Sequence, residues 1–576
     1  STTLSTLAMR DDGTQGDAVA GDGVYSARIS GRSSGTLIGF RIEGVDGASA
    51  ASTYPEDGAT DVCLIRWGDS IPFGTFPNVY LWATQAQRNS PDGNQLNNKY
   101  RIGTLVYGAK RVIYGARFRD KGSPYHSGGG DITVTLPKDD KLHGVRERLF
   151  GSTGNGGEEP TGLRGRLGAW LAKEMGVPYL HGNYQRFFIN GSQFRNLVED
   201  LEEPDHRFAE QSFPDGQEGD LYKISIWFEF ADNNSSFNPT QATLQPFTTE
   251  GGEFKTARYR WNWERRAQQF PEEDYSTIFN LVEAANAPDS VLVDQLMGLA
   301  DVDEWMRVHA CNRITGNWDA WTYNVGQNMY MYKQPGRGAV IMPWDWDFLF
   351  GLGDGPTSGL WGGQDPTGND LYDTPAFRRM LWRAYIDAVN GPMLEENYAP
   401  VIDALRKAQL QNGITGLGGT SAINSYINSR RSYILGQINN QDANAFAITT
   451  NGGANFSTES PVVELTGTAP FAVASIQING VAFPVEWIDY DAWRIRYPLG
   501  PGANSLQITG HGRTGEMVAG ASDSVTITFT GQIQLPGDNL VINEIMYESV
   551  APDADFVEIY NRSDTHAFNL TGMELN

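Results

Sequence analysis

The sequence predicts an α+β protein of several domains, and three observations support this prediction. A chain of 576 residues is too long for a single hydrophobic core. Apolar residues make up 40% of the chain and 15 are Trp, which argues for folded rather than disordered segments. Short alternating patterns typical of strands fill both ends, whereas helical periodicity is concentrated in the middle. We therefore expect a central mixed domain flanked by β-sandwich domains.

Changes in pattern divide the chain into four segments. We expect a β-sandwich segment over 1–62, the central domain over 63–445, a β-sandwich over 446–535 and a truncated β-domain over 536–576. The chain begins without a signal peptide and ends within a strand-like pattern, so we expect a piece of a longer protein. No apolar run reaches the roughly 18 residues of a transmembrane helix.

The charge of the chain favours some function classes over others. A net charge of −25 argues against general binding of nucleic acid or of anionic membranes. The same acidity suits a secreted or cell-surface protein that binds divalent cations. The two cysteines, Cys63 and Cys311, predict two buried thiols rather than a disulfide framework.

The N-terminal segment contains an acidic, glycine-rich stretch, RDDGTQGDAVAGDGVY. Its Asp11, Asp17 and Asp22 offer the oxygen ligands that Ca²⁺ prefers. The other interpretation is a set of Asp-Gly turns between strands, because the stretch lacks the complete EF-hand pattern. The sequence therefore predicts either a Ca²⁺ site or turns in the first β-domain.

The first part of the central domain combines strand patterns with two features that suit phosphate binding. A connection containing Gly122 and Gly128 links two strand patterns, and it either covers nucleotide phosphates or forms a flexible hairpin tip. YQRFFING and SQFRNLVEDL predict a hairpin, and GDLYKISIWFEF predicts one strand. Glu199 and Lys223 then lie on neighbouring strands, as a pair that positions phosphate or as an ordinary surface ion pair.

The middle of the chain reads as helical. FKTARYRWNWERRAQQF is the one locally basic segment, and we expect an internal clamp or an anion site there. Residues 275–316 predict two helices, with Asp301 as a cap and His309 as a core histidine rather than a metal ligand. Three amphipathic helices follow between residues 374 and 440.

The stretch from Cys311 to Gly355 carries the chemistry. Asp319 is an isolated acid between two Trp residues, and Asp345 and Asp347 interrupt an apolar strand pattern. Charged groups are costly to bury unless they are paired, protonated or bound to a metal. Acids in strongly aromatic sequence therefore predict a site.

The spacing within this stretch follows the order found in protein kinases. Asn324 follows Asp319 with D-x-x-x-x-N spacing, and Asn328 directly precedes the strand MYMYK. The order acid, Asn, strand, turn, strand, acid is that of the catalytic Asp, the Mg²⁺-binding Asn and the Mg²⁺-binding Asp. Two other interpretations use the same residues: structural acids that hold backbone amides, or glycosidase chemistry through Asp319 and Asp345.

GNWD, the Asn before MYMY, and PWDWDFLFG resemble the signature of the CotH kinase family of atypical spore-coat protein kinases. RFRDKGSPYH, GDLYK and ADVDEWMRVHACNRITGNWD resemble further family segments in the same order, and the likeness covers roughly residues 76–440. The resemblance implies an atypical protein-kinase-like fold. It also implies ATP with Mg²⁺ or Mn²⁺, and phosphorylation of Ser or Thr in a protein substrate.

The resemblance also implies roles for individual residues. Asp319 would be the catalytic acid, and Asp345 with Asp347 would hold the metal. The remaining ligand is Asn328 if the following strand sets the alignment, or Asn324 if the spacing does.

The chain departs from the family pattern at the phosphate-binding lysines. Family members commonly carry paired lysines after the first glycine-bearing strand, whereas this chain reads HSGGGDITVTLPKDD. Lys138 comes late in this segment, and Lys223 is the other candidate for binding phosphate. If neither serves, the chain is a pseudokinase.

The flanking segments resemble modules of secreted bacterial proteins. The C-terminal VINEIMY and DFVEIYNRS resemble the opening of a lamin-tail domain, and the N-terminal stretch resembles the end of an immunoglobulin- or fibronectin-like module. Two hypotheses follow. The first is a secreted or surface CotH-like kinase acting on a protein substrate. The second is a catalytically inactive surface, adhesion or assembly scaffold with the same fold.

Overall fold

Contacts divide the chain into two compact units in the computed structural model. The first unit comprises Ser1–Ser152 and Asn183–Asp200, and the second comprises Thr153–Gly182 and Leu201–Asn576. The structure describes residues 5–56, 62–88, 99–108, 110–121, 131–153, 159–205, 208–209, 212–213, 219–230, 237–267, 273–321, 323–346, 348–442, 444–532, 536–547, 555–568 and 570.

The first unit is built from strands and one short helix. Its elements are β1 Leu37–Phe40, β2 Ile42–Val45, β3 Ala51–Tyr54, β4 Cys63–Arg66, β5 Asn78–Trp82, α1 Gln85–Arg88, β6 Arg101–Tyr107, β7 Arg111–Asp120, β8 Ile132–Thr135, β9 Glu147–Thr153, β10 Gly182–Ile189 and β11 Ser192–Glu202. Seven strands close a barrel in the order β10-β11-β9-β8-β7-β6-β5, completed by parallel pairing of β10 with β5. Closure leaves no unpaired sheet edge in this barrel.

The predicted hairpin between β10 and β11 is confirmed. Its turn is Asn190-Gly191, and both residues have positive φ, 48° and 82°, as a two-residue hairpin turn of this type requires. The Asn190 side chain fixes the turn further, because its amide donates to the carbonyl of Ala83 at 2.7 Å. The sequence signal Asn-Gly was sufficient here because the turn is local.

A polar cluster lies among the buried residues of this unit. Arg148 and Gln185 both donate to the carboxylate of Asp200, at 3.3 Å and 2.5 Å. Burial raises the pKa of Asp200 to about 6, although the positive charge of Arg148 lowers it. Removing water from the carboxylate thus outweighs its ion pair.

The second unit begins with the elements that carry the candidate site. They are α2 Arg164–Glu174, β12 Asp220–Ile224, β13 Trp227–Phe230, β14 Phe237–Thr240, α3 Thr256–Asn262, β15 Trp263–Ala267, α4 Ser276–Ala285, α5 Asp289–Leu299, α6 Val302–Thr315, β16 Met329–Lys333, β17 Val340–Pro343, α7 Pro366–Asp373, α8 Pro375–Asn390, α9 Glu395–Gln411 and α10 Ser421–Gln441. The central sheet is antiparallel with the order β15-β12-β16-β17.

The two faces of this sheet have different environments. Tyr222, Met331 and Ile341 share one face and belong to the large hydrophobic cluster formed with the helices. Lys223 and Tyr330 are paired on the opposite face, because successive side chains of a strand point to opposite sides. The sheet therefore separates the helical core from the face that carries Lys223.

Two predicted elements differ from the observed ones. GDLYKISIWFEF forms two strands, because β12 pairs with β15 and β16 in the central sheet whereas β13 pairs with β14 in a separate two-stranded sheet. The predicted pair of helices over 275–316 is three helices, because Ala300 is extended and forms a bridge with Ala339. The basic segment is a helix followed by a strand, α3 and β15.

The rest of the second unit is mostly β-structure. Its elements are β18 Ala447–Ile448, a 3₁₀ turn Thr450–Gly453, β19 Phe456–Thr458, β20 Val462–Thr468, β21 Ser475–Ile478, β22 Val481–Phe483, β23 Glu486–Trp487, β24 Ala492–Pro498, β25 Gly502–His511, β26 Met517–Phe529, α11 Pro536–Asn539, β27 Leu540–Met546 and β28 Phe556–Asn561. β18-β20-β24-β23 and β19-β26-β25-β21-β22 form two sheets that share one hydrophobic cluster. β27 and β28 form a separate two-stranded sheet.

Arg379 of α8 attaches the two-sheet region to the helical core. Its guanidinium donates to the carbonyls of Ala469, Tyr490, Pro470 and Val473 at 2.6–3.1 Å. The guanidinium carbon also lies 3.6 Å from the centre of the Trp487 ring. Burial lowers the pKa of Arg379 to about 9, and the charge of Arg383 lowers it further.

Both cysteines, Cys63 and Cys311, are buried and free, as the sequence predicts. Among the helices that the structure describes, none is long and apolar enough to cross a membrane.

Candidate active site

Helix α6 provides the rigid base of the candidate site. It begins at a cap in which Glu304 N–H donates to the Asp301 carboxylate at 2.9 Å, so the predicted cap is confirmed. It ends at Gly316, whose φ of 78° is the left-handed value common after a helix. Nearly all of its side chains are buried. The segment that carries Asp319 therefore starts from a fixed point.

Two side-chain amides hold the carboxylate of Asp319. Gln327 donates to one carboxylate oxygen at 2.7 Å, and Asn328 donates to the other at 2.9 Å. Asn328 also donates to the backbone carbonyl of Asp319 at 3.1 Å. The orientation of the carboxylate is thus fixed from both oxygens, while each oxygen keeps a lone pair for a further partner.

Asn328 and Asp345 lie at the open end of the β16–β17 hairpin. Asn328 directly precedes β16, and Asp345 follows β17 with one residue between. Trp344 N–H donates to the Asn328 carbonyl at 3.0 Å, which continues the ladder by one bond. Asn328 and Asp345 then both take positive φ, 56° and 55°. These left-handed residues turn the chain out of the two strands, and Asn and Asp are the non-glycine residues that tolerate this conformation best.

The structure corrects one expectation about Asp345. The sequence pattern placed it inside an apolar strand, but β17 ends at Pro343 and Asp345 is exposed. Its left-handed backbone cannot continue a strand, so the carboxylate avoids the cost of burial.

The electrostatics of the two acids are linked. Burial raises the pKa of Asp319, and the negative charge of Asp345 raises it further. The hydrogen bonds from Gln327 and Asn328 lower the same pKa. Two carboxylates that repel each other at the end of one hairpin form a place where a cation would be attracted.

Two arms of chain adjoin these acids. The first arm runs from α6 to Asp319, and the second runs from Asp345 to Asp354. Phe350 N–H donates to the Thr315 carbonyl at 2.7 Å, and Asp354 N–H donates to the Gly316 carbonyl at 2.8 Å. The rings of Trp318 and Phe348 lie 5.4 Å apart.

Gly353 permits this close approach of the arms. A Cβ atom at this position would overlap the Gly316 carbonyl oxygen and would lie 2.6 Å from the Phe348 carbonyl oxygen. Both obstacles are backbone atoms, which cannot move aside as a flexible side chain can. Only glycine fits.

The other predicted site residues lie as follows. Asn324 is exposed, and its backbone N–H donates to the Trp318 carbonyl at 3.2 Å. Glu199 and Lys223 do not lie on neighbouring strands, which corrects the prediction. Lys223 is half-buried on β12, whose neighbours are β15 and β16, and Glu199 is buried on β11, whose neighbours in the barrel are β10 and β9. Lys138 is exposed in the first unit.

Asp347, Gly122 and Gly128 lie outside the described residues. The structure thus brings together Asp319, Asn328 and Asp345 from the predicted set, with Asn328 rather than Asn324 beside the acid.

The N-terminal acids form a cluster. Asp11, Asp17 and Asp22 can bring one carboxylate oxygen each to within 4.8 Å of the others. Backbone amides already occupy parts of this cluster, since Gly21, Asp22 and Gly23 donate to Asp11. Such bonds are expected for Asp-Gly turns, and both predicted interpretations remain consistent with this geometry.

The basic segment serves the interior. Arg258 donates to the Gln241 carbonyl at 2.8 Å and lies over the Phe247 ring. Arg265 forms a buried ion pair with Asp220 at 2.6 Å. These contacts match the predicted internal clamp.

His309 is a buried histidine of α6, packed edge-on against Tyr372. Burial lowers its pKa to about 3, and the charge of Arg313 contributes. The ring is therefore neutral near pH 7, as a core histidine is expected to be.

Two residues of the site were missed by sequence reasoning. Gln327 is one, and the signal for it was its place beside Asn328, directly before a strongly apolar strand. The other is Asn312, a fully buried polar residue on α6. Its side-chain amide oxygen accepts hydrogen bonds from the Asn317 side-chain amide at 3.3 Å and from the Trp346 indole N–H at 3.2 Å.

The central part of the chain is similar to a known protein family. Residues 134–415 match a family model described as CotH kinase protein. This match supports the CotH family. The matched CotH region includes Asp319, Asn328 and Asp345, and it suggests an atypical kinase-like protein. It does not extend to residues 446–576, so the immunoglobulin-like and lamin-tail assignments stay predictions.

Other comparisons add little. No curated protein was found to match this chain. A solved structure described as the Shewanella oneidensis MR-1 toxin–antitoxin system HipA, HipB and its operator DNA complex has 11% sequence identity. It covers 66% of this chain and 75% of that chain with a TM-score of 0.23, which is too low to support an argument about the fold.

Proposed function

We propose that this chain is a secreted or cell-surface CotH-like protein kinase that transfers the γ-phosphate of ATP to Ser or Thr of a protein. The observation that carries the proposal is the convergence of Asp319, Asn328 and Asp345 at the open end of one hairpin. Phosphoryl transfer depends on positioning and on charge neutralisation rather than on a strong nucleophile. An oriented acid beside a second acid suits that requirement.

Asp319 is proposed to orient the hydroxyl of the protein substrate or to accept its proton. Its carboxylate is held from both oxygens, so it can present a lone pair in a fixed direction. Its pKa is raised above the ordinary value by burial, which makes it a better proton acceptor than a fully solvated Asp.

The donor set fits a divalent cation. Carboxylate and amide oxygens are the ligands that Mg²⁺ and Mn²⁺ prefer in nucleotide sites. Asp345 is exposed, and within the described part of the chain no hydrogen bond or ion pair occupies its carboxylate. Asp345 with Asn328 would hold the ion, and Asp347 is a further proposed ligand. When bound, ATP would supply the phosphoryl group, and Mg²⁺ would neutralise the negative charge on its phosphates.

Phosphate binding by the chain is proposed for Lys223. Register places Lys223 beside Tyr330 on the sheet face opposite the helical core, and Asn328 begins directly before the same strand. Glu199, Lys138, Gly122 and Gly128 stay predicted cofactor-binding residues. The proposal of a secreted or surface location rests on the net charge of −25 and on the β-rich segments at both ends.

The proposal is tested by transfer of labelled phosphate from ATP, with Mg²⁺ or Mn²⁺, to the protein itself and to a Ser-rich acceptor. Asp319→Asn and Asp345→Asn keep the side-chain shape and remove the charge. Each is expected to lower incorporation by roughly 100-fold or more, the usual scale for loss of an essential acid or metal ligand.

A matched pair of glycine variants separates the two candidate asparagines. Asn328→Gly keeps a residue that tolerates positive φ and removes the amide that holds Asp319, so incorporation should fall strongly. Asn324→Gly removes an exposed amide and should leave incorporation within about twofold of wild type. Absence of both incorporation and ATP-dependent thermal stabilisation in the wild type would contradict the proposed function.

One observation favours a second candidate, an inactive assembly scaffold. Arg379 fastens the two-sheet region to the helical core through four carbonyls, which is the rigid connection that an assembly protein needs. This candidate is preferred if the wild type binds neither nucleotide nor metal.

A further inference from the structure

Asn312 occupies an unusual place in the buried helix α6. It is 1% exposed, so it cannot touch a substrate, yet it retains a polar side chain among apolar neighbours. Its side-chain oxygen accepts two hydrogen bonds, from the Asn317 amide at 3.3 Å and from the Trp346 indole N–H at 3.2 Å. A buried amide with two partners is satisfied, whereas the loss of its oxygen would leave two donors unpaired.

The two donors belong to the two arms of the site. Asn317 lies two residues before Asp319 on the first arm, and Trp346 directly follows Asp345 on the second. One oxygen atom therefore joins the arms next to both acids. Two further hydrogen bonds between the described residues of the arms lie farther along the second arm, at Phe350 and Asp354.

We propose that Asn312 is a positioning residue that fixes Asp345 relative to Asp319, and so sets the affinity of the site for its divalent cation. The inference rests on the proposed function. Asp345 has a left-handed backbone and an exposed side chain, so its own packing does not hold it. The Trp344 bond to Asn328 holds it from one side, and the Trp346 bond to Asn312 holds it from the other.

The proposal is tested by binding of Mn²⁺ in the presence of a non-hydrolysable ATP analogue, measured by electron paramagnetic resonance. Asn312→Leu keeps the approximate shape and removes the acceptor, and Trp346→Phe keeps an aromatic ring and removes the donor. Each variant should raise the Kd for Mn²⁺ by roughly tenfold, the lower end for residues that support metal ligands. The Kd of the analogue without metal should stay within about twofold.

A double-mutant cycle identifies the shared bond. If both residues act through it, Asn312→Leu with Trp346→Phe should bind Mn²⁺ about as well as the weaker single variant. If the Kd for Mn²⁺ in the double variant instead rises by the product of the two single increases, the proposal is overturned. If Asn312→Leu does not fold, Trp346→Phe alone carries the test, and wild-type affinity in that variant would overturn it.

A matched control excludes a general effect of instability. Asn412 is 2% exposed, and its side chain donates to the Ala408 carbonyl of α9, the helix that it directly follows. Asn412→Leu should lower the melting temperature without changing the Kd for Mn²⁺, and equal weakening of Mn²⁺ binding in this variant would overturn the proposal.

Asp345→Asn distinguishes failure of the metal site from failure of the positioning role. Wild-type Mn²⁺ binding in Asp345→Asn contradicts the metal site itself. Weak binding in Asp345→Asn with wild-type binding in Asn312→Leu contradicts only the positioning role.

Discussion

At the scale of residues, the chemistry of Asp319 is set by its amide neighbours. Gln327 and Asn328 each donate to one carboxylate oxygen, which stabilises the ionised form against burial and against the charge of Asp345. Hydrogen bonds to a carboxylate lower its pKa, and their loss raises it. The pH range in which Asp319 can accept a proton thus depends on Gln327.

Gln327→Leu is expected to shift the acid limb of the pH–rate profile to higher pH, because Asp319 loses the hydrogen bond that most lowers its pKa. The rate at neutral pH should also fall, roughly tenfold, because the carboxylate loses one of the two amides that orient it. Phosphate incorporation measured from pH 5 to 9 tests this. Gln364→Leu removes a half-buried amide that donates to Ala242 and serves as the control. An unshifted limb in Gln327→Leu would show that Asp319 does not titrate in the reaction.

Sequence reasoning predicted the acids of the candidate site but not the residues that support them. Asp319, Asn328 and Asp345 were predicted because charged and amide groups next to apolar strands are unusual. Gln327 and Asn312 were missed because their roles depend on contacts between distant segments, such as Asn312 with Trp346. The choice of Asn328 over Asn324 likewise required three-dimensional contacts, since spacing alone favoured Asn324.

At the scale of elements, helix α6 connects the core to the hairpin of the site. Glu304 is buried on this helix, and its carboxylate accepts from the Ile341 N–H of β17 at 3.0 Å. Burial raises its pKa well above the ordinary value, and the bond from Ile341 lowers it only in part. The folded protein thus holds a proton on Glu304 that the unfolded chain releases more easily.

Stability should therefore fall as the pH rises through the folded pKa of Glu304. The folded state binds the extra proton between the unfolded pKa, near 4.5, and the higher folded pKa. In that window the free energy of unfolding falls by about 1.4 kcal/mol for each pH unit from this group.

Glu304→Gln keeps an oxygen for Ile341 and cannot ionise, so its melting temperature should exceed that of the wild type by an amount that grows with pH. Thermal denaturation from pH 4 to 8 measures the difference. Glu283→Gln, on α4, provides the control for removing a carboxylate. A constant difference between Glu304→Gln and wild type across this range would contradict the assignment.

The elements themselves were predicted unevenly. The β10–β11 hairpin followed from its Asn-Gly turn, and α8, α9 and α10 followed from their amphipathic periodicity. The break between α5 and α6 was missed because the bridge of Ala300 with Ala339 is not local. The split of β12 from β13 was missed for the same reason, since the two strands pair with different partners, β12 with β15 and β16 and β13 with β14.

At the scale of the whole molecule, Arg379 makes an extensive set of polar contacts between the helical core and the two-sheet region of the second unit. Arg379 satisfies four carbonyls of the two-sheet region from a helix of the core, and the Trp382 and Phe471 rings stack nearby at 5.3 Å. Arginine suits this position because its guanidinium has five donors in one plane.

Arg379→Met should remove about 3–5 kcal/mol from the connection, since four buried carbonyls lose their donor. Calorimetry is expected to show two transitions in place of one, and proteolysis should cut near residues 444–446, after α10. Arg379→Lys keeps the charge with fewer donors and should give an intermediate result. A single unshifted transition in Arg379→Met would show that other contacts suffice.

Gly353 has a consequence for recognising working copies of this site in other genomes. The arms can meet only where no side chain projects at this position, because its neighbours are the backbone oxygens of Gly316 and Phe348. A sequence that preserves every acid but places alanine here should fold with its two carboxylates farther apart. The acids alone are thus an incomplete marker of a site with this geometry. A search for active paralogues should require this glycine together with them, and should set aside copies that lack it as degenerate.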